Sequence, residues 1–215
     1  DGCLVSRFIE ARTLTPADVR DAGNLRRLVA LVRRCHEEVP RHFQGPALIF
    51  WVFQVIRSYL QLLESRQVNP YPLDLAELAG RAERLERALG PVTILFGHND
   101  LLAANLLDDG ARLWLIDWDY AGFNSPLFDL ANLATNNELS PQLELTLLEE
   151  YFQAPPAAAL RRGFAAMQCA SLLRETLWGA VSRLTSSIDC GYAGYTHDYW
   201  QRFQRRWQEF AVAHG

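Results

Sequence analysis

The segment spanning residues 96–132 constrains the fold of this chain more than any other. Within it, the turn sequence Asp108-Asp109-Gly110 separates two short apolar runs, residues 105–107 and 111–116. An Asp-Gly pair between apolar runs is a strong short-range signal for a β-hairpin, because glycine tolerates the positive φ that a tight turn requires. The pattern therefore predicts a small hairpin whose two open ends lie side by side.

Three oxygen-bearing side chains stand at the open end of this predicted hairpin. Asp100 lies on the loop that leads into it, Asn105 begins its first run, and Asp117 directly follows its second run. Asp and Asn are also common turn residues. A His-x-Asp-x4-Asn spacing followed by a strand that ends in Asp is far more specific than a turn preference. We therefore expect the three side chains to converge.

The chemistry of phosphoryl transfer explains these residue types. Transfer to a hydroxyl needs a carboxylate beside the attacking O–H and Mg²⁺ held against the phosphates, and Mg²⁺ prefers oxygen ligands. We expect Asp100 to accept the hydroxyl proton and Asn105 with Asp117 to bind the metal. An amide at one metal position supplies an oxygen without adding negative charge beside a polyanionic nucleotide.

Two motifs in this segment, His98-Asn99-Asp100 and Ile116-Asp117-Trp118-Asp119-Tyr120, resemble the choline/ethanolamine kinases, including LicA-like bacterial kinases. These belong to the aminoglycoside phosphotransferase and protein-kinase-like superfamily. Protein kinases are less similar, because they carry Phe-Gly after the metal aspartate and Ala-Pro-Glu downstream. The resemblance implies an α+β, mostly α fold of the protein-kinase-like type. It also implies a small-molecule kinase that uses ATP and Mg²⁺ to phosphorylate an amino alcohol such as choline or ethanolamine.

The same resemblance implies roles for residues around the predicted metal site. His98 and Asp129 would support the shape of the loop that carries Asp100, while Asp119, Glu175 and Trp178 would face the acceptor. A quaternary ammonium needs aromatic faces and negative charge, and Trp178 would supply a face unless it is simply core packing. Glu175 stands where choline kinases commonly show a second aromatic residue. This substitution favours a primary amine or another polar acceptor over choline.

The first ten residues resemble the last strand of the family's small lobe and the hinge that follows it. Residues 4–9 predict a strand, and the family's hinge presents backbone groups to adenine. The resemblance thus implies nucleotide contacts at Arg7, Phe8 and Ile9, together with Ile116, although a plain edge strand is an equal alternative. We expect residues 1–10 to belong to a small lobe and residues 11–215 to form the helical large lobe.

Two features that the family carries in its small lobe do not occur in these 215 residues. They are a glycine-rich phosphate loop and a strand lysine followed by a helix glutamate. We therefore expect the small lobe to be largely absent and ATP to bind poorly to this chain alone. The small lobe is disordered, cut off or lost, and these three alternatives stay open.

Apolar periodicity predicts helices over most of the remaining chain. Thr15-Pro16 starts a helix that restarts near Gly23-Asn24, and residues 40–45 form a loop. Asp74 caps a helix that ends at Gly90-Pro91, and residues 92–96 form the strand before the catalytic segment. The longer predicted helices cover residues 46–66, 141–152, 157–184 and 197–212.

Five further residues invite a chemical interpretation that the sequence does not favour. His36 has no second ligand at a suitable spacing and is predicted to be a surface histidine at a helix end. Four cysteines lack any Cys-x-x-Cys pattern and are predicted to be buried, reduced side chains of a cytoplasmic protein. These cysteines are Cys3, Cys35, Cys169 and Cys190.

Charge and hydropathy exclude some partners. A net charge of −4 argues against general nucleic-acid binding, which favours a basic face, and is compatible with a cationic acceptor. No apolar run is long enough to span a bilayer, and no signal peptide is visible. Two alternatives to the amino-alcohol kinase remain: an aminoglycoside, thiamine or sugar kinase of the same superfamily, and a non-catalytic kinase-like binding module. The oligomeric state is not indicated.

Overall fold

The computed structural model describes residues 7–67, 69–188 and 190–214. Its helices, in chain order, are α1 (Pro16–Val19), α2 (Ala22–His42), α3 (Val52–Ser65), α4 (Leu75–Leu89), α5 (Pro126–Asn136), α6 (Pro141–Phe152), α7 (Ala158–Thr185) and α8 (Tyr192–His214). Its strands are β1 (Arg12–Thr13), β2 (Leu95–Gly97), β3 (Leu106–Asp108), β4 (Leu113–Leu115) and β5 (Gly122–Asn124). The chain is thus mostly helical, as predicted.

The strands form two small antiparallel sheets. One has the order β1-β3-β4, and the other pairs β2 with β5. The predicted hairpin is β3–β4, in which Leu106 faces Leu115. Its turn is closed by a hydrogen bond from the Asp109 N–H to the Arg112 carbonyl (3.2 Å), and Gly110 takes a φ of 88°. The hairpin prediction is therefore confirmed.

The predicted starts of α1 and α4 are confirmed by their caps. Thr15 and Asp18 form a reciprocal capping box at α1, and the Asp74 side chain accepts a hydrogen bond from the Glu77 N–H at α4 (2.9 Å). Helix α4 ends at Leu89, and Gly90, whose φ is 65°, follows as its C-terminal cap. The restart after α1 comes slightly before the predicted position, because the side chain of Asp21 caps α2.

Helix α7 lies at the centre of the molecule and packs against α3, α4, α5 and α8. Most of its residues are buried, which is typical of a helix surrounded by others. One continuous apolar cluster joins α7 to the remaining helices and to the hairpin. No helix in the described ranges is long and apolar enough to cross a bilayer.

The N-terminal strand prediction is wrong where the structure tests it. Residues 4–6 lie outside the described part of the chain, and Arg7, Phe8 and Ile9 form no strand. A strand needs a hydrogen-bonded neighbour, and the first paired residues from position 7 onward are Arg12 and Thr13, which align with β3. Phe8 is 83% exposed.

The predicted helix over residues 46–66 begins later, at Val52. The preceding residues are extended, because Ile49 bridges Phe123 and the Phe50 N–H donates to the Phe123 carbonyl (2.9 Å). Backbone groups used in this pairing are not available for a helix.

Three other boundary predictions also need correction. The strand predicted over residues 92–96 is β2, which begins only at Leu95 and ends at Gly97. Residues 40–42 continue α2, since Pro40 in the last turn removes one backbone hydrogen bond only. The final helix starts at Tyr192, before the predicted residue 197. Among the cysteines, Cys35 and Cys169 are buried as predicted, Cys190 is exposed, and Cys3 lies outside the described residues.

Candidate active site

The loop of residues 98–105 connects β2 to β3 and carries Asp100 and Asn105. Its shape depends on Asn99, which has a φ of 66°, a conformation that costs a non-glycine residue energy. The Asn99 side-chain amide donates to the carbonyls of Tyr120 (3.0 Å) and Gly122 (3.1 Å). These bonds fasten the 98–105 loop to the backbone that follows Asp117.

Asp129, at the start of α5, fixes the backbone at the start of the same loop. Its buried carboxylate accepts hydrogen bonds from the backbone N–H groups of His98 (2.8 Å) and Asn99 (2.7 Å). Burial by itself would raise the pKa of Asp129, but the hydrogen bond from His36 and the nearby His side chains hold it below its ordinary value. A side chain at Gly97 would meet Asp129 Oδ2 at 3.0 Å, so glycine permits this close approach.

His36 is the main residue of this network that the sequence did not predict. It is 4% exposed rather than a surface histidine, because α2 continues beyond it and packs against β2. Its Nε2 lies 2.8 Å from Asp129 Oδ2, and its Nδ1 lies 2.7 Å from the Tyr151 hydroxyl. Since an ionised carboxylate only accepts, Nε2 carries the hydrogen. Helices α2, α5 and α6 thus meet at one buried hydrogen-bond chain.

His98 links the loop to the end of β4. Its Nε2 donates to the Ile116 carbonyl (2.9 Å), and its ring packs edge-on against Trp118 at 4.9 Å. The remaining nitrogen, Nδ1, is buried without a hydrogen-bond partner in the described structure. His98 is therefore placed to orient neighbouring residues, and neither ring nitrogen is open to a substrate proton.

Asp100 and Asn105 are in direct contact. The Asn105 side-chain N–H₂ donates to the Asp100 carbonyl (2.9 Å) and to its carboxylate (3.2 Å). Both acceptors face the amide nitrogen, so Asn105 Oδ1 is left without a hydrogen bond in the described part of the chain. Asp100 is 9% exposed. Burial raises its pKa to about 6, against the opposing effect of Arg174.

A backbone hydrogen bond places Asp117 next to Asp100 and Asn105. The Ile116 N–H donates to the Asn105 carbonyl (3.0 Å), so Asp117 leaves the hairpin next to Asn105. Its φ is 61° and its side chain is exposed. Within the described ranges, this carboxylate has no hydrogen bond or ion pair. The structure therefore brings Asp100 and Asn105 into contact and places Asp117 next to them, facing solvent.

The donor set fits magnesium bound with phosphates rather than a closed protein cage. Among the residues that the structure describes, no three His, Cys, Asp or Glu side chains cluster as a cation site. Mg²⁺ usually takes one or two protein carboxylates and completes its shell with phosphate oxygens and waters. The free Oδ1 of Asn105 and the exposed carboxylate of Asp117 meet that requirement.

A buried ion pair on α7 lies next to Asp100. Arg174 Nη1 is 2.5 Å from Glu175 Oε1 and 3.7 Å from Asp100 Oδ1. Burial by itself would lower the pKa of Arg174, but these two carboxylates raise it, so the guanidinium stays charged. Nothing in the periodicity of α7 distinguished Arg174 from the other arginines of the chain.

Glu175 is 2% exposed and has both carboxylate oxygens occupied. One binds Arg174, and the other accepts a hydrogen bond from the Tyr195 hydroxyl (2.8 Å). Burial and Glu175 together raise the pKa of Tyr195, which therefore keeps its proton. Glu175 lies behind Tyr195 and Arg174 and does not face open space.

Trp178 is half-buried in an aromatic group that includes Tyr120, Tyr192 and Tyr195. Its indole N–H donates to the Tyr120 hydroxyl (3.1 Å), and the rings of Tyr192 and Tyr195 pack edge-on against it. Asp119 is exposed one residue before Tyr120. In the described structure it forms no ion pair or hydrogen bond, so it is not brought into contact with Glu175 or Trp178.

Within the part of the chain that the structure describes, no hydrogen bond, ion pair or ring contact joins the predicted nucleotide residues to one another. Arg7, Phe8 and Ile9 precede β1, the edge strand that pairs with β3. Ile116 is half-buried at the end of β4. Their nucleotide role stays a prediction.

Comparison with known proteins gives a consistent match. A family model described as choline/ethanolamine kinase matches residues 1–144. The LicA protein of Haemophilus influenzae is 32% identical over 155 residues, which cover 70% of this chain and 55% of that protein. Human ethanolamine kinase 2 is 26% identical over 217 residues, covering 89% of this chain and 55% of the enzyme. The chain thus spans about half the length of these curated relatives.

Solved structures agree with the predicted fold. A choline/ethanolamine kinase family protein from Mesorhizobium loti superposes with a TM-score of 0.82 at 26% identity, over 96% of this chain and 70% of that one. Choline kinase LicA from Streptococcus pneumoniae superposes with a TM-score of 0.76 at 24% identity, over 93% and 68%. The protein-kinase-like fold prediction is confirmed.

Proposed function

Because the chain belongs to the choline/ethanolamine kinase family, we propose that it carries the phosphoryl-transfer centre of a small-molecule kinase. The reaction is transfer of the γ-phosphoryl group of ATP, with Mg²⁺, to the hydroxyl of an amino alcohol such as ethanolamine or choline. The observation that carries this proposal is the contact between Asn105 and Asp100 at the mouth of the β3–β4 hairpin, with Asp117 beside it.

Asp100 orients the acceptor hydroxyl and takes its proton. Its carboxylate is fixed by Asn105 and by the 98–105 loop, which Asp129 in turn holds in place. With a pKa of about 6, Asp100 is ionised at neutral pH and is a stronger base than an exposed aspartate, which suits a general base. Little covalent help is needed beyond this positioning.

Asn105 Oδ1 and the Asp117 carboxylate would hold Mg²⁺ on the nucleotide phosphates. The bound metal would neutralise charge that develops on the transferred group. His98 supports this arrangement, because its bond to the Ile116 carbonyl fixes the residue immediately before Asp117. Backbone groups of Arg7, Phe8 and Ile9, together with Ile116, would contact the adenine.

The acceptor would lie between Asp100 and the aromatic residues of α7 and α8. Trp178 and Tyr120 form one wall, and the exposed carboxylate of Asp119 lies at the rim, where it attracts a cationic head group. Glu175 acts on this wall from behind, through Tyr195 and Arg174, since both of its oxygens are already bonded.

The test is phosphorylation of a panel of acceptors by the protein expressed from its complete gene. Ethanolamine, choline, thiamine, an aminoglycoside and glucose are each incubated with ATP and Mg²⁺, and the products are identified by phosphorus NMR. We expect phosphoethanolamine or phosphocholine, and no product from the Asp100→Asn variant. Phosphorylation of another acceptor alone would reassign the substrate. The absence of any product would favour a binding module without catalysis.

A further inference from the structure

The guanidinium of Arg174 lies in an environment that would suit a cationic ligand. It is 2% exposed and lies beside two carboxylates, those of Glu175 and Asp100. Its Cζ is 4.5 Å from the centre of the Tyr120 ring and 5.6 Å from that of Phe50. Its Nε and Nη2 atoms have no hydrogen-bond acceptor among the described residues, so aromatic faces are their neighbours.

Aromatic faces together with carboxylates are the chemistry that recognises a quaternary ammonium. Such a group has no N–H and cannot form ordinary hydrogen bonds, so it depends on this kind of surface. In this chain the surface next to Asp100 is already covered by a cation that belongs to the protein. A second cation without N–H groups could bind at this surface only by displacing the Arg174 guanidinium.

We propose that Arg174 is a specificity-determining residue, an internal cation that occupies the Tyr120 face and excludes quaternary ammonium acceptors in favour of primary amines. This inference rests on the proposed function and names its substrate class. A primary ammonium does not need the occupied face, because its three N–H groups can donate to carboxylate and hydroxyl oxygens. The exposed carboxylate of Asp119 is such an acceptor, one residue from Tyr120.

Net charge supports the same conclusion. Asp100, Glu175 and Arg174 together leave one negative charge in the interior, and the Asp100 carboxylate is needed by the acceptor hydroxyl. Glu175 is fully engaged by Arg174 and Tyr195. No buried carboxylate of this group is therefore left for a quaternary ammonium while Arg174 is in place.

The first measurement compares the natural protein with Arg174→Ala. Wild-type kcat/KM should be higher for ethanolamine than for choline. In Arg174→Ala the ratio of kcat/KM for choline to kcat/KM for ethanolamine should rise by about tenfold or more, which is the scale of one desolvated cation–π contact. Arg174→Lys keeps the cation and should leave the ratio near the wild-type value. A wild-type preference for choline would overturn the proposal.

A second measurement does not depend on catalysis. Tetramethylammonium, which cannot be phosphorylated, is titrated by calorimetry into the wild type and into the double variant Arg174→Ala/Glu175→Gln. The second substitution prevents Glu175 from being left as a buried carboxylate without Arg174, so Asp100 is the carboxylate that remains beside the Tyr120 face. We expect binding to the double variant only. Equal binding by both proteins, or none by a folded double variant, would refute the role of Arg174. If that variant does not fold, Arg174→Gln, which is neutral, polar and shorter than arginine, decides in the same way.

The two proposals fail separately. If no amino alcohol is phosphorylated but tetramethylammonium binds only when Arg174 is removed, the kinase assignment is wrong. The proposal that Arg174 excludes quaternary ammonium groups is then still supported. If ethanolamine and choline are both phosphorylated and Arg174→Ala leaves the ratio of their kcat/KM values unchanged, the kinase assignment is supported. The proposed role of Arg174 in specificity is then wrong.

Discussion

The side-chain amide of Asn105 donates two hydrogen bonds to Asp100, one to its carbonyl (2.9 Å) and one to its carboxylate (3.2 Å). A single side chain thus contacts the proposed base through its nitrogen and leaves its oxygen free for the proposed metal. This double use explains why an amide, rather than a second carboxylate, suits the position. A carboxylate could not donate to Asp100 and would repel it.

The metal assignment predicts different effects for two neighbouring carboxylates. Asp117→Asn keeps the side-chain size but removes the charge, so we expect the Mg²⁺ concentration for half-maximal turnover to rise about tenfold to hundredfold, the range of one charge-assisted contact. Asp119→Asn should leave the Mg²⁺ requirement unchanged and raise KM for the acceptor. Magnesium titrations of both variants at saturating ATP provide the measurement. The reverse pattern would assign the metal to Asp119.

The buried position of Asp100 predicts an acidic limb in the pH profile. Its pKa of about 6 means that the base is protonated below that pH, so kcat/KM should fall as pH decreases through 6. An exposed aspartate would keep its activity down to about pH 4. The profile is recorded for the acceptor at saturating MgATP, with Glu64→Gln as a control at an exposed carboxylate away from the site. A rate that is constant between pH 7 and 5 would contradict this environment for Asp100.

His36 should matter for stability and for turnover although it touches no substrate. His36→Ala removes one of the hydrogen bonds to the buried Asp129 and leaves the Tyr151 hydroxyl without its partner, so we expect a loss of about 2–4 kcal/mol in the free energy of unfolding. Urea denaturation measures this loss. In the folded variant kcat should fall while KM for ATP stays nearly constant, because Asp129 holds the loop that carries Asp100.

The matched variant is His36→Gln, whose amide nitrogen can replace Nε2 as donor to Asp129. It should recover most of the turnover and part of the stability. If His36→Ala were as stable and as active as the natural protein, the hydrogen bonds that run from α2 through Asp129 to the 98–105 loop would not position that loop.

Local signals predicted the parts of this molecule that depend on few residues. The Asp-Gly turn, the Thr15 capping box and the Asp74 cap are each set by neighbours within a few positions, so the hairpin and the starts of α1 and α4 could be anticipated. The order of Asp100, Asn105 and Asp117 around the hairpin follows from the same local geometry.

Contacts between distant segments could not be anticipated. His36 and Asp129 are 93 positions apart, and α2 shows only an amphipathic pattern that does not say which polar residue is buried. Residues 46–51 have a helical composition, but Leu48, Ile49 and Phe50 pair with Phe123 of β5, because a strand partner outweighs local propensity. Arg174 was missed for the same reason, since its position between Tyr120 and Asp100 depends on how α7 packs.

Two helical glycines provide the last prediction. A methyl group at Gly179 in α7 would meet the Thr196 hydroxyl at 2.5 Å and the Tyr195 ring at 3.0 Å, so Gly179→Ala must push α8 away. We expect a loss of about 1–3 kcal/mol in the free energy of unfolding and a higher KM for the acceptor, because Tyr195 packs against Trp178. Gly80→Ala in α4 is the control, since its methyl group would meet nothing within 4 Å. That control should gain about 0.5–1 kcal/mol with unchanged KM, and equal effects of the two variants would rule out a close approach of α7 and α8.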